Sequence, residues 1–107
     1  MRLAPALVCS LLALAACGGP KDADRQAAIA AAKVAYEKAK AEGMDLSRGP
    51  CIADPLPILD GDWVADVAHD PRQDVDDEPE NQCESYRNGD SGHFVELDPE
   101  GNVIRAE

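Results

Sequence analysis

The chain has 107 residues, of which 10 are Lys or Arg and 21 are Asp or Glu, so its formal net charge at pH 7 is −11. This length allows one small domain, whose core alone gives only marginal stability. So acidic a surface repels the phosphates of nucleic acids and anionic lipid head groups, which excludes DNA and RNA as expected partners.

The first sixteen residues have the layout of an export signal. Arg2 supplies a positive charge, and an apolar run from Leu3 to Leu14 follows it. That run is too short to span a bilayer as a mature helix, which needs about 20 apolar residues. A basic start, a short apolar run and a small-residue exit are typical of a secretory signal. We therefore expect residues 1–16 to be a signal peptide.

The exit from this segment, Leu14-Ala15-Ala16-Cys17, resembles the lipobox of bacterial lipoproteins. The resemblance implies that the Cys17 thiol takes up a diacylglyceryl group and that its amine is acylated after cleavage. Two or more acyl chains give stable membrane anchoring. The expected location is the cell envelope, and Gly18 after the cysteine favours the periplasmic face of an outer membrane. The alternative is an ordinary signal peptide with a cysteine that has no role, because small residues also precede simple cleavage sites.

The next elements are a tether and a helix. Residues 17–21 form the predicted lipidated tether, and residues 22–107 form the predicted domain. An Ala-rich stretch from Asp22 or Asp24 to about Glu42 predicts a helix that ends at Gly43. Its apolar stripe, which we expect to pack on the core, consists of Ile29, Ala32, Tyr36 and Ala39.

The remainder of the chain has strand and turn signals. The alternating pattern of residues 63–69 predicts a strand, and the turn signal Asp60-Gly61 before it places a partner strand within residues 52–59. Residues 70–82 are polar and acidic, which indicates a long or partly disordered loop. Residues 93–97 and 103–106 predict a hairpin closed by the turn at residues 98–102. The predicted fold class is α+β, with one N-terminal helix packed on a small antiparallel sheet of three to five strands.

Cys51 and Cys83 are the two cysteines that remain in the predicted domain. In an oxidising compartment an even pair indicates a disulfide, which would close a loop of roughly 30 residues and contribute about 3–4 kcal/mol in the chain-entropy model. The alternatives are two free thiols or a zinc site with His69 and His93, although the spacings lack the short ligand pairs usual in structural zinc sites.

The acidic stretch suggests a second kind of metal site, through the oxygen ligands that calcium prefers. It lacks the glycine and the terminal glutamate of an EF-hand, and Pro79 interrupts it, so a solvated loop is favoured. The weak metal candidates are therefore His69, His93, Asp74, Asp76 and Asp77, followed by Glu78 and Glu80. We expect no other cofactor.

The chain has no motif that specifies a reaction. Ser91-Gly92-His93 lacks the G-x-S-x-G elbow of a hydrolase, and a histidine two residues away does not by proximity activate a serine. A phosphate-binding loop with its lysine is also missing from the sequence. We therefore expect a protein that is not an enzyme.

Two resemblances concern the predicted domain. Gly49-Pro50-Cys51, residues 63–73, residues 80–89 and residues 93–105 resemble a group of short, uncharacterised prokaryotic proteins, from which no site can be transferred. A helix before strands, with an end that reads V-E-L-D-x-x-G-x-V-I (95–104), is similar to PepSY-like domains. That similarity implies inhibition of an envelope protease.

The sequence thus predicts a membrane-anchored envelope lipoprotein that acts as a non-enzymatic binding or structural module, with the membrane as its partner through Cys17 and an envelope protein as a further partner. The alternatives are a divalent-metal-binding protein, which would use the acidic loop and the histidines, and a PepSY-like protease inhibitor.

Overall fold

The computed structural model describes residues 19–107, so the predicted signal peptide and the lipidation site Cys17 lie outside the described residues. The elements, in chain order, are helix α1 (Asp22–Ala41), strands β1 (Cys51–Ala53) and β2 (Trp63–Val67), the one-turn helix α2 (Glu84–Arg87), and strands β3 (His93–Leu97) and β4 (Val103–Ala106). Within this range, no helix is both long enough and apolar enough to cross a bilayer.

The four strands form one mixed sheet in the order β1-β2-β3-β4. The outer pairs are antiparallel, whereas β2 and β3 are parallel, with Trp63 opposite His93 and Val67 opposite Leu97. The predicted α+β class is confirmed, but the prediction of a purely antiparallel sheet is wrong at its centre. The reason is that residues 68–92 carry the chain back to the starting end of β2, and a long crossover permits a parallel pair.

Helix α1 packs on one face of this sheet through its small residues. Ala28, Ala32, Tyr36 and Ala39 are buried at spacings of four, four and three, which place them on one side of the helix. The predicted stripe is therefore confirmed except at Ile29, which is only partly buried. Alanine keeps the helix close to the sheet and favours the helical conformation.

The core lies between α1 and the sheet. Alternate residues of the two central strands point towards the helix, because successive side chains of a strand face opposite sides. These residues are Trp63, Ala65, Val67, Val95 and Leu97. The other positions, among them Val64, Asp66, Phe94 and Glu96, therefore lie on the sheet face away from α1.

Residues 70–92, called here the covering segment, fold over that second face. They form two short 3₁₀ turns, Asp74–Asp77 and Pro79–Asn81, followed by α2. The acidic stretch is thus an ordered part of the domain, and its residue Asp76 is buried. Because both faces of the sheet are covered, Val64 is as buried as the core residues beneath α1.

Candidate functional site

A cleft of about 300 Å³ lies between the covering segment and the sheet. Its floor comes from the strands and consists of Val64, Asp66, Phe94, Glu96 and Arg105. Its other wall comes from the covering segment and consists of Arg72, Gln82, Cys83 and Tyr86. We call this the sheet cleft. Its volume is at the lower end of the range for small-molecule sites.

Asp66 is the unusual residue of the sheet cleft. The residue is half-buried, and its oxygen Oδ1 is shielded from solvent with no hydrogen-bond partner among the described residues. Burial, together with the negative charge of Glu96, raises the pKa of Asp66 to about 8, although Arg72 acts in the opposite direction. At neutral pH this carboxyl therefore mostly keeps its proton.

Glu96 lies opposite Asp66 in the parallel register and is buried, but it has two cationic partners. Its carboxylate accepts a hydrogen bond of 2.7 Å from Arg72 and lies 3.3 Å from Nε of Arg105. Arg72 also binds Asp77 at 2.8 Å, and the hydrogen bonds to Asp77 and Glu96 raise the pKa of Arg72. Both arginines are thus committed to Glu96, and neither forms an ion pair with Asp66.

The cleft also has an apolar half. Phe94 pairs with Val64 across β2 and β3, and the Phe94 ring meets the Tyr86 ring edge to face with their centroids 5.2 Å apart. Asp66 and Glu96 lie two residues further along the same strands. The charged half of the cleft is therefore about 7 Å from the apolar half. The sheet cleft is therefore amphipathic along the strand direction.

The predicted disulfide between Cys51 and Cys83 is confirmed, with the two Cα atoms 5.1 Å apart. Cys51 lies opposite Asp66 in the β1–β2 register, and Cys83 borders the cleft. The bond therefore ties the covering segment to the sheet at the edge of the site. It also removes both sulfur ligands from the predicted zinc set.

His69 and Asp76 form a buried clasp at the start of the covering segment. Oδ1 of Asp76 lies 2.9 Å from Nδ1 of His69, and Oδ2 accepts hydrogen bonds from the backbone N–H groups of His69 and Gln73. Burial by itself raises the pKa of Asp76, but the hydrogen bonds from Gln73 and His69 outweigh it and lower the pKa below its ordinary value. The arrangement holds the segment in place.

Ser47 and Ser91, two serines of the described residues 19–107, are candidate nucleophiles, and neither hydroxyl is hydrogen-bonded to His69. Ser47 borders the same surface depression as His69, but its hydroxyl donates to Oδ1 of Asp45 at 2.6 Å. Ser91, the serine considered from the sequence, is buried and donates to the carbonyl of Gly61 at 2.6 Å. Both hydroxyls are therefore engaged by their own neighbours.

His93 lies far from His69. Its ring stacks on Trp63 with centroids 4.7 Å apart, and its Nε2 is 3.5 Å from Asp62. Trp63 begins β2 and His69 follows the end of that strand, so the length of β2 separates the two histidines. The predicted zinc ligands therefore do not meet.

The acidic candidates also point in different directions. Asp74 is exposed, Asp76 is buried against His69, and Asp77 binds Arg72. Glu78 lies 3.5 Å from Arg48, and Glu80 is exposed. Within residues 19–107, no three His, Cys, Asp or Glu side chains gather closely enough to hold a metal ion.

Four residues of the sheet cleft were not predicted from the sequence as site residues: Asp66, Glu96, Arg72 and Arg105. The available signal was a single carboxylate in each of two strands, two residues after Val64 and two residues after Phe94. A pattern of this kind is usual on a solvent-facing strand surface, and only the path of the covering segment makes it a cleft.

The chain matches no family model, and no curated protein and no solved structure matches it. The candidate site therefore rests on the geometry of this chain alone.

Proposed function

We propose that the protein is a membrane-anchored, non-enzymatic binding module of the cell envelope that takes up a small amphipathic ligand in the sheet cleft. The observation that carries the proposal is Asp66, a carboxyl with a buried oxygen that lacks a hydrogen-bond partner, in a cleft of ligand size. A buried polar group without a partner costs free energy, and a ligand that satisfies it recovers that cost.

A binding role accounts for these residues better than a catalytic one. Asp66 could hold a proton, but a hydrolase also needs a nucleophile and a group that stabilises developing negative charge near it. Neither Ser47 nor Ser91 borders the sheet cleft, and Arg72 and Arg105 are bound to Glu96. Preformed walls and a small number of polar groups are features of a ligand pocket.

The anchoring part of the proposal is supported by the lipobox-like segment that ends at Cys17. Lipid on Cys17 would hold the domain through the tether of residues 17–21 at the membrane, on the periplasmic face where an outer membrane exists. The excess of acidic residues is compatible with this role, because the lipid provides attachment that the protein surface itself does not.

Nuclear magnetic resonance of the isotope-labelled full-length protein in detergent micelles tests the binding role. Small amphipathic fragments of either charge and of no charge would be titrated into it. We expect saturable shifts at the backbone amides of Val64, Asp66 and Phe94, and unchanged signals at Ala28, which belongs to α1 on the opposite face of the sheet. The absence of any saturable shift in the cleft at millimolar fragment concentrations would contradict the proposal.

A further inference from the structure

We infer that the ligand of the sheet cleft is a monocationic amine with an apolar group, whose ammonium pairs with the Asp66 carboxylate while its apolar part lies along Val64 and Phe94. This inference rests on the proposed binding function and specifies its ligand class. It follows from three features of the cleft: its charge balance, its division into two halves, and the chemistry of the groups that face Asp66.

When Asp66 is ionised, the charge balance of the cleft leaves room for one positive charge. Arg72 and Arg105 are matched by Glu96 and Asp77, to which they are bound. Asp66, once ionised, adds a negative charge that has no cation. A monovalent ammonium would neutralise it, and a charge-assisted hydrogen bond to a carboxylate is stronger than one between neutral groups.

The geometry sets the shape of the amine. The apolar pair Val64 and Phe94 and the carboxyl pair Asp66 and Glu96 are two residues apart on adjacent strands, or about 7 Å. An amine with a ring or a branched alkyl group two or three bonds from the nitrogen reaches both halves at once. The Phe94 and Tyr86 rings also favour a cation nearby.

Other ligand classes fit less well. A carboxylate would add negative charge beside Asp66 and Glu96, and it would have to draw Arg72 or Arg105 away from Glu96. A divalent metal prefers several oxygen ligands at once, and Glu96 is already held by the two arginines. A neutral ligand could accept a hydrogen bond from protonated Asp66 but would not compensate the carboxylate that forms when Asp66 ionises.

The groups around Asp66 give amine binding a distinctive proton linkage. The charged groups that face this carboxyl are Glu96 on β3 and Arg72 and Asp76 of the covering segment, and burial and Glu96 hold the pKa of Asp66 at about 8. An ammonium lowers that pKa, so binding at pH 7 releases most of one proton. Amine affinity therefore increases from pH 6 to pH 8 and levels off above it.

Three probes of nearly equal shape separate the classes: 2-phenylethylammonium, 3-phenylpropionate and 2-phenylethanol. Each would be titrated into the full-length protein in detergent, with calorimetry in two buffers of different ionisation enthalpy to count protons. We expect saturable binding of the ammonium with release of nearly one proton, and binding at least tenfold weaker for the other two. Replacement of Asp66 by asparagine (D66N) should weaken ammonium binding about ten- to a hundred-fold.

The matched control is Asp74→Asn, which makes the same substitution at an exposed position outside the cleft. It should leave ammonium binding within about twofold of the wild type. Tighter binding of the anionic or neutral probe, or ammonium binding without proton release, would overturn the inference while leaving the binding function intact. Failure of all three probes, together with a fragment screen without cleft shifts, would overturn both. If D66N does not fold, the proton count in the wild type decides alone.

Discussion

At the scale of single residues, Asp66 progressively lowers the free energy of unfolding of the unliganded protein as the pH rises. The pKa of Asp66 is about 8 in the folded protein, against a reference value of 3.8. The folded state therefore holds a proton that the unfolded state has lost between pH 4 and pH 8. Across this window the contribution of Asp66 to the free energy of unfolding falls as the pH rises.

The replacement D66N removes this penalty. We expect the variant to be more stable than the wild type at pH 8.5 by an amount on the order of a few kcal/mol, with the two converging near pH 4.5, where folded Asp66 is protonated and resembles an amide. Urea unfolding at both values measures the difference. Asp74→Asn is the control, and a pH-independent difference for D66N would count against the buried carboxyl.

Gly49 offers a second test at this scale. Its φ is 67°, and a Cβ atom there would collide with Oδ1 of Asp76 and lie 3.1 Å from the carbonyl of Val67. Gly89 also has a positive φ, 88°, but nothing lies within 4 Å of its Cβ position. Gly89→Ala measures the backbone strain alone, which should cost about 1 kcal/mol, whereas Gly49→Ala should cost at least about 2 kcal/mol more.

Denaturant unfolding of the two glycine variants checks this expectation. The extra loss in Gly49→Ala should arise because the His69–Asp76 clasp is displaced, so His69 Nδ1 should also change its resonance in that variant only. Equal losses of stability for the two substitutions would contradict this expectation, because they would show that displacing the His69–Asp76 clasp costs no free energy.

At the scale of elements, the disulfide is the covalent link that holds the covering segment to the sheet. Cys51 and Cys83 are 32 residues apart in sequence, and closing such a loop is worth about 3–4 kcal/mol in the chain-entropy model. The double replacement of Cys51 and Cys83 by serine should lower the free energy of unfolding by about that amount. Reductant should lower the stability of the wild type similarly and leave the double variant unchanged.

Hydrogen exchange distinguishes a local from a general effect of that bond. We expect the double serine variant to lose protection first at α2 and the neighbouring turns, because these elements are tied to β1 by Cys83. Protection in α1 should change less, since its buried alanines pack on the other face. Uniform loss across the domain would show that the bond stabilises the whole fold and not the covering segment in particular.

The elements also show how far the sequence could predict this fold. Helix α1 and the β3–β4 hairpin depend on local signals, namely alanine propensity and the Asp98–Gly101 turn, and both were predicted. The parallel pairing of β2 with β3 was not, because it depends on where residues 68–92 travel. The disulfide between Cys51 and Cys83 is a long-range contact that the sequence did predict.

The candidate site was less predictable for the same reason. His69, His93 and the aspartates were predicted as metal ligands from their side-chain chemistry. In the fold the two histidines lie apart, and Asp76 pairs with His69. Asp66 looked like an ordinary polar residue of an alternating strand. Its environment depends on Glu96, which lies on another strand, and on the path of the covering segment, which places Arg72 against the sheet, so no local pattern could have revealed it.

At the scale of the whole molecule, the net negative charge of the protein is consistent with a cationic ligand in the sheet cleft. A formal net charge of −11 attracts small cations towards the domain, and the inferred ligand is a cation. The same charge opposes contact with anionic lipid head groups. The proposed acyl chains on Cys17 would provide an attachment that does not depend on this surface charge.

Lipidation of Cys17 is therefore the prediction on which the proposed location of the protein at a membrane depends. In a bacterial host that is fed a labelled palmitate analogue, we expect the expressed protein to incorporate the label. We also expect its signal peptide to be cleaved, so that the mature protein starts at residue 17. Cys17→Ala should lose the label completely, because its side chain has no thiol to be acylated. Cys9→Ala is the matched control: it removes a thiol from the same segment, upstream of the cleavage point, and should keep full labelling. An unlabelled wild type, or a Cys17→Ala variant that is still labelled, would show that the domain reaches the membrane in another way or not at all.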